Sequence, residues 1–67
     1  MNIFSERLKE LRLEKIFSID QLSKELEISS SSICRWELGQ ADIKSTQLII
    51  IAKYFGVTTD YLLGLDD

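Results

Sequence analysis

The side chains best suited to recognition chemistry lie together near the middle of the chain. Four serines run from Ser29 to Ser32, and Arg35 follows shortly after. At about 100° per residue, Ser30, Ser31, Cys34, Arg35 and Leu38 share one arc of a helix. Ile33, Trp36 and Glu37 take the opposite arc, with Ser32 at the border. One face is therefore apolar and anchored by the only tryptophan of the sequence. The other is small, mostly polar, and carries a single guanidinium. Hydroxyls donate or accept, and a guanidinium forks onto two acceptors at once, matching guanine O6 and N7 in a major groove. Small neighbouring side chains let the backbone approach such an edge. A plainer reading of the same serines is a helix cap followed by a solvated face.

Positioning such a helix needs other elements, and the apolar residues recur at helical spacing along most of the chain. There is no proline, no Asn-Gly or Asp-Gly turn and no sustained alternation, so strands are not expected. A first helix is predicted over about 3–15, with Phe4, Leu8 and Leu11 on one face; either Asn2 or Ser5 could cap it. A second covers about 19–26, with Ser18 as N-cap, Gln21 completing a capping box, Leu22 and Leu26 buried, and Ser23 close to a neighbour. The third runs over about 30–38, from the N-cap Ser29 to Gly39. The fourth, about 45–55, turns Leu48, Ile51, Ala52 and Phe55 inward and stops at Gly56. The fifth, about 59–64, is capped by Thr58, has Asp60 in its positive first turn and ends at Gly64. The segment 18–39 thus reads as two short helices joined by a tight turn, the form of a helix-turn-helix.

Size and charge narrow the possibilities. The chain has 67 residues, which predicts a single domain over 1–67. A core this small depends on close helix packing, with dimerisation as an aid. One cysteine and no histidine exclude an internal disulfide and disfavour a zinc centre, so no metal and no cofactor are expected. The same poverty leaves few nucleophile–base pairs, so an enzyme is not expected. Asp20, Glu25 and Glu27 read as solvated helix surface rather than as a carboxylate site. The N-terminus is charged within its first ten residues, unlike a signal peptide. No apolar run approaches the roughly 20 residues of a membrane span. A soluble, cytoplasmic protein is expected. The balance of 11 acidic against 8 basic residues, net −3, runs against the basic character common among nucleic-acid domains. Binding to phosphates would require the few basic groups to share one face.

By its residues the chain resembles the Cro/CI-type (XRE-like) helix-turn-helix domains of phage and bacterial repressors. The likeness runs nearly end to end, through RLKELRLEK at 7–15, FSIDQLSKELEIS at 17–29, SSICRWELG at 31–39 and LIIIAKYFGVTTDYLLG at 48–64. RWELG and the last stretch are specific together. The resemblance implies an all-α, compact five-helix bundle of the lambda-repressor-like DNA-binding type. It implies a transcriptional regulator, usually a repressor, bound as a dimer to a palindromic operator in double-stranded DNA. Carried over by position, Ser30, Ser31 and Arg35 are expected to reach base edges. Ser18 and Ser29 match helix-start positions that touch phosphate. Gln40 and Lys44 lie in the loop that follows the backbone, and Lys24 adds to the positive side. Arg12 and Glu37 match a partly buried ion pair joining helices one and three. The alternative is that both are solvated charges.

Several positions depart from that pattern. Ile19 stands where glutamine usually bonds a phosphate. Glu27 and Ile16 replace glycines usual in the turn and after helix one, and Ile43-Lys44 replaces a usual Pro-Ser start to helix four. Glu27 requires either a left-handed non-glycine residue or another turn shape. It also puts negative charge near the expected path of DNA. Cys34 reads as a small residue at a position usually held by serine; a thiol beside Arg35 could alternatively act as a redox switch. Leu13, Ile19, Ile43, Ile49, Ile50, Leu63 and Leu65 exceed what one small core needs. Clustered near helices four and five, they predict a homodimer whose recognition helices sit about one DNA turn apart. The competing reading, favoured by the acidity, Ile19 and Glu27, is a protein-interaction module, antirepressor-like or accessory, on the same fold.

Overall fold

Every segment with helical spacing is a helix in the computed structural model, which describes residues 2–65; the expected domain span of 1–67 runs past these at both ends. Among the described residues there are five helices and no strand. They are α1 (Ile3–Glu14), α2 (Ile19–Leu26), α3 (Ser30–Leu38), α4 (Ser45–Phe55) and α5 (Thr59–Leu63). Each helix contributes one residue with no exposure at all: Leu8, Leu22, Ile33, Ile51 and Leu62 in chain order. Burying a side chain of that size contributes roughly 1.5–3 kcal/mol, so all five elements depend on one shared centre. Around it α1 packs on α3 and α5, α2 on α3 and α4, and α4 on α5. Phe4 meets Trp36 edge to face at 6.4 Å between ring centres, fastening α1 to α3. Arg7 lies 4.3 Å over the Tyr61 ring and donates to the Tyr61 carbonyl, fastening α1 to α5.

Side-chain caps start four of the helices. Asn2 caps α1, its carboxamide oxygen accepting from the Ser5 N–H at 2.8 Å. Ser5, the other candidate, is fully buried, and its hydroxyl donates to the Trp36 carbonyl at 2.5 Å. A residue one turn inside the helix does better tying α1 to α3 than satisfying its own terminus. Ser18, Ser29 and Thr58 cap α2, α3 and α5. Lys44 begins α4 without a side-chain cap bond. Phe55 is only half-buried and packs edge-on against Tyr54 at 5.1 Å, so the inner face of α4 is Leu48, Ile51 and Ala52.

All five helices are followed by a residue in the left-handed region, and two of those residues are not glycine. Gly39, Gly56 and Gly64 have φ near 70°, and Ile16 and Glu27 adopt φ of 58° and 56°. At Ile16 the stop is complete: its N–H reaches the Leu13 carbonyl at 2.9 Å and the Phe17 N–H reaches Arg12 at 3.2 Å. A β-branched residue is strained there by its Cβ. Ile16 is also 88% exposed, so it buries almost nothing in return. Ile16→Gly is therefore expected to stabilise the domain by about 1 kcal/mol after the larger unfolded-state freedom of glycine is deducted. Thermal melting followed by circular dichroism should rise by about 4–8 °C. Ile16→Ala keeps a Cβ and should gain less.

Candidate nucleic-acid interface

The turn between α2 and α3 decides where the polar face of α3 points. Glu27 takes the left-handed conformation with φ 56° and ψ 38°, so the chain adopts the glycine-type turn without glycine. Ser23 secures it. Its carbonyl accepts from the N–H groups of Glu27 and Ile28, and its hydroxyl donates to the Ile28 carbonyl at 2.5 Å. From that turn α3 runs with Ile33 and Trp36 buried at its back. A three-residue turn has little freedom once its polar groups are bonded, so α2 and α3 form one rigid unit.

A bidentate ion pair braces the same helix from behind. Arg12 Nε donates to Glu37 Oε2 at 2.7 Å and Nη2 donates to Oε1 at 2.9 Å. The remaining terminal nitrogen, Nη1, donates to the Phe17 carbonyl at 2.8 Å. One guanidinium thus holds α1, α3 and the connection leading into α2. Both residues are buried. The Glu37 hydrogen bonds, outweighing desolvation, raise the Arg12 pKa above its ordinary value.

Ser31 and Arg35 are exposed and Ser30 is half-buried. The three line one open groove of about 500 Å³, which Ile19, Asp20 and Cys34 complete. Among the described residues, Arg35 makes no side-chain hydrogen bond and no ion pair, while Trp36 beside it is 3% exposed. Gly39 and Gln40 close the end of α3, the Gln40 N–H reaching the Arg35 carbonyl at 2.9 Å.

The remaining candidates stand on the surface outside that groove. Ser18, Lys24, Ser29, Gln40 and Lys44 are all exposed. Ser18 Oγ accepts from the Gln21 N–H at 3.1 Å, and Gln21 Oε1 accepts from the Ser18 N–H at 2.8 Å. That cap uses a lone pair and leaves the hydroxyl proton for an outside acceptor such as a phosphate oxygen. Ser29 Oγ accepts from the Ser32 N–H at 3.3 Å and lies 2.9 Å from Ser32 Oγ. Sequence reasoning treated Asp20 as plain helix surface and missed its place in the groove. The usable signal was position: it lies two residues after the α2 cap, on the helix end that the turn folds toward α3.

A capped helix, a tight turn and a second helix locked down by indole and isoleucine with its polar face outward define the helix-turn-helix class. The chain belongs to the helix-turn-helix domain family, which it matches over residues 5–67. It is similar to the HTH-type transcriptional activator BcrR of Enterococcus faecalis, 38% identical over 61 residues, covering 91% of this chain and 30% of that protein. It is 31% identical over 65 residues to the uncharacterized HTH-type transcriptional regulator YobD of Bacillus subtilis (strain 168), covering 97% of this chain and 58% of the relative. With the HTH-type transcriptional regulator ImmR of the same organism it shares 29% identity over 62 residues, 92% of this chain and 49% of the relative. The chain therefore spans between about a third and three-fifths of the length of these relatives. Among the described residues no helix is long and apolar enough to cross a membrane.

Proposed function

We propose that this chain is a sequence-specific regulator of transcription, of Cro/CI type, that reads the major groove of double-stranded DNA with α3. The observation that carries the reading is the unpartnered Arg35 beside Ser30 and Ser31, on a helix whose other face is held by Ile33 and Trp36. A guanidinium with no internal partner is free for a bidentate contact to guanine. Ser18, Ser29, Lys24, Gln40 and Lys44 set the register on the phosphates, contributing affinity without sequence information. The Arg12–Glu37 pair positions α3 and touches no DNA. The family and the printed descriptions of the relatives support the class of function.

The finer proposals are a homodimer, an inverted-repeat operator, repression by occupying a promoter, and action in the cytoplasm. Ile49 and Ile50 on α4 and Leu63 and Leu65 at the end of α5 are between 43% and 67% exposed, which supports pairing through those helices. Ile19 and Ile43 are half-buried against the core instead, and leave the pairing surface smaller than the full set of surplus aliphatics. The same exposed residues favour one second reading, a module that binds another protein and no DNA.

One experiment separates the two. The purified chain is used to select bound fragments from random duplex DNA, and the retained duplex is titrated at several salt concentrations. Enrichment of an inverted repeat is expected. With Arg35, Lys24 and Lys44 acting in each of two protomers, affinity should fall with a log–log salt slope of roughly −5. No retention of DNA even at low salt would leave the protein-binding reading standing.

A further inference from the structure

The α2–α3 groove contains one group that the reading above does not use. Asp20 lines it together with Arg35, Ser30 and Ser31. Its carboxylate is exposed and, among the described residues, has no hydrogen bond and no ion pair. The capping box beside it is complete without it, since Ser18 and Gln21 satisfy each other. The groove therefore offers a donor fork and an acceptor carboxylate, both without internal partners.

That combination has a counterpart in the major groove. A G·C pair shows two acceptors on guanine, N7 and O6, and one donor on cytosine, the exocyclic N4 amine. A phosphate offers only negative charge and would repel a carboxylate. We infer that Asp20 is a specificity-determining residue that accepts from cytosine N4 while Arg35 donates to guanine, on the same base pair or its neighbour. The inference rests on the DNA-reading proposal and assigns α2 a base-reading role as well as a phosphate-touching one.

Two simpler roles for Asp20 make different predictions. As a first-turn acid it would favour the positive end of α2 and leave sequence preference untouched. As a bare negative charge near the backbone it would weaken every duplex equally. The test uses the whole chain and the duplex it selects, with every base pair of one half-site substituted in turn. Asp20→Ala is expected to lose discrimination at one cytosine-containing position by about five- to hundredfold, with the other positions unchanged. Asp20→Asn, close in shape, is expected to move the preference there from cytosine toward adenine, whose N6 and N7 suit a carboxamide. An unchanged profile for both variants overturns the inference, and so does a uniform gain of affinity on all duplexes. If the wild-type chain enriches no sequence, the parent reading fails together with it; an enriched repeat indifferent to Asp20 overturns the inference alone.

Discussion

Glu37→Ala is expected to destabilise the domain by about 3–5 kcal/mol, because it leaves the Arg12 guanidinium buried without its counter-charge. The size of that loss matters against the whole. At about 0.05–0.15 kcal/mol per residue, a chain this short has roughly 3–10 kcal/mol of stability in total. The variant should be largely unfolded near 37 °C, and urea denaturation followed by circular dichroism reads it directly. Replacing both partners with apolar residues, Arg12→Met with Glu37→Leu, should recover much of the loss, since no charge then remains buried. Recovery stays incomplete because Arg12 Nη1 also satisfies the Phe17 carbonyl. The sign of the Arg12 shift bears on pH. A group whose pKa is raised on folding contributes fully below its unfolded value and loses that contribution only above its folded one. For Arg12 this lies beyond the ordinary arginine range, so its contribution is unchanged between about pH 5 and 9. A Glu37→Ala variant within 1 kcal/mol of wild type would show that the pair is dispensable.

Arg35→Ala separates reading from folding. The side chain is exposed and makes no internal bond among the described residues, so the melting temperature should stay near that of wild type. On the selected duplex the variant should lose about 1–3 kcal/mol and accept any base pair at one position of each half-site. Arg35→Lys should not restore discrimination, because an ammonium lacks the planar fork that matches N7 and O6. Lys44→Ala should behave differently, weakening binding evenly across sequences and reducing the salt slope by about 1. Equal affinity of Arg35→Ala and wild type across a panel of substituted duplexes would remove this residue from the reading surface. Together with the Glu37 variant it distinguishes a residue that touches the ligand from one that only holds the helix in place.

Much of the fold was written in signals only a few residues long. The pairing of Ser18 with Gln21, the caps Ser29 and Thr58, and the glycines at 39, 56 and 64 mark helix ends. Each works within one turn, so composition and spacing suffice to place it. The observed helices differ from those boundaries only at the ends of α1 and α5, by one residue each. The outward polar arc of α3 was legible for the same reason, since a helix sorts its side chains by rotation alone.

Other features belong to the packed molecule. Ser5 and Asn2 are both acceptable caps on local grounds; the choice falls to Asn2 because Ser5 bonds the Trp36 carbonyl, 31 residues away. Phe55 has the right spacing for the core but is left half-buried beside Tyr54. Ile16 is driven into a left-handed conformation that its own sidechain disfavours, because the bonds closing α1 and the Arg12 link to Phe17 demand it. Asp20 joins Arg35 in one groove only after the α2–α3 turn folds. Local hydrogen bonds and helical rotation depend on near neighbours, which the order of residues supplies. Competition between two sound local choices, and the meeting of groups from different helices, are settled by contacts that exist only once the helices pack.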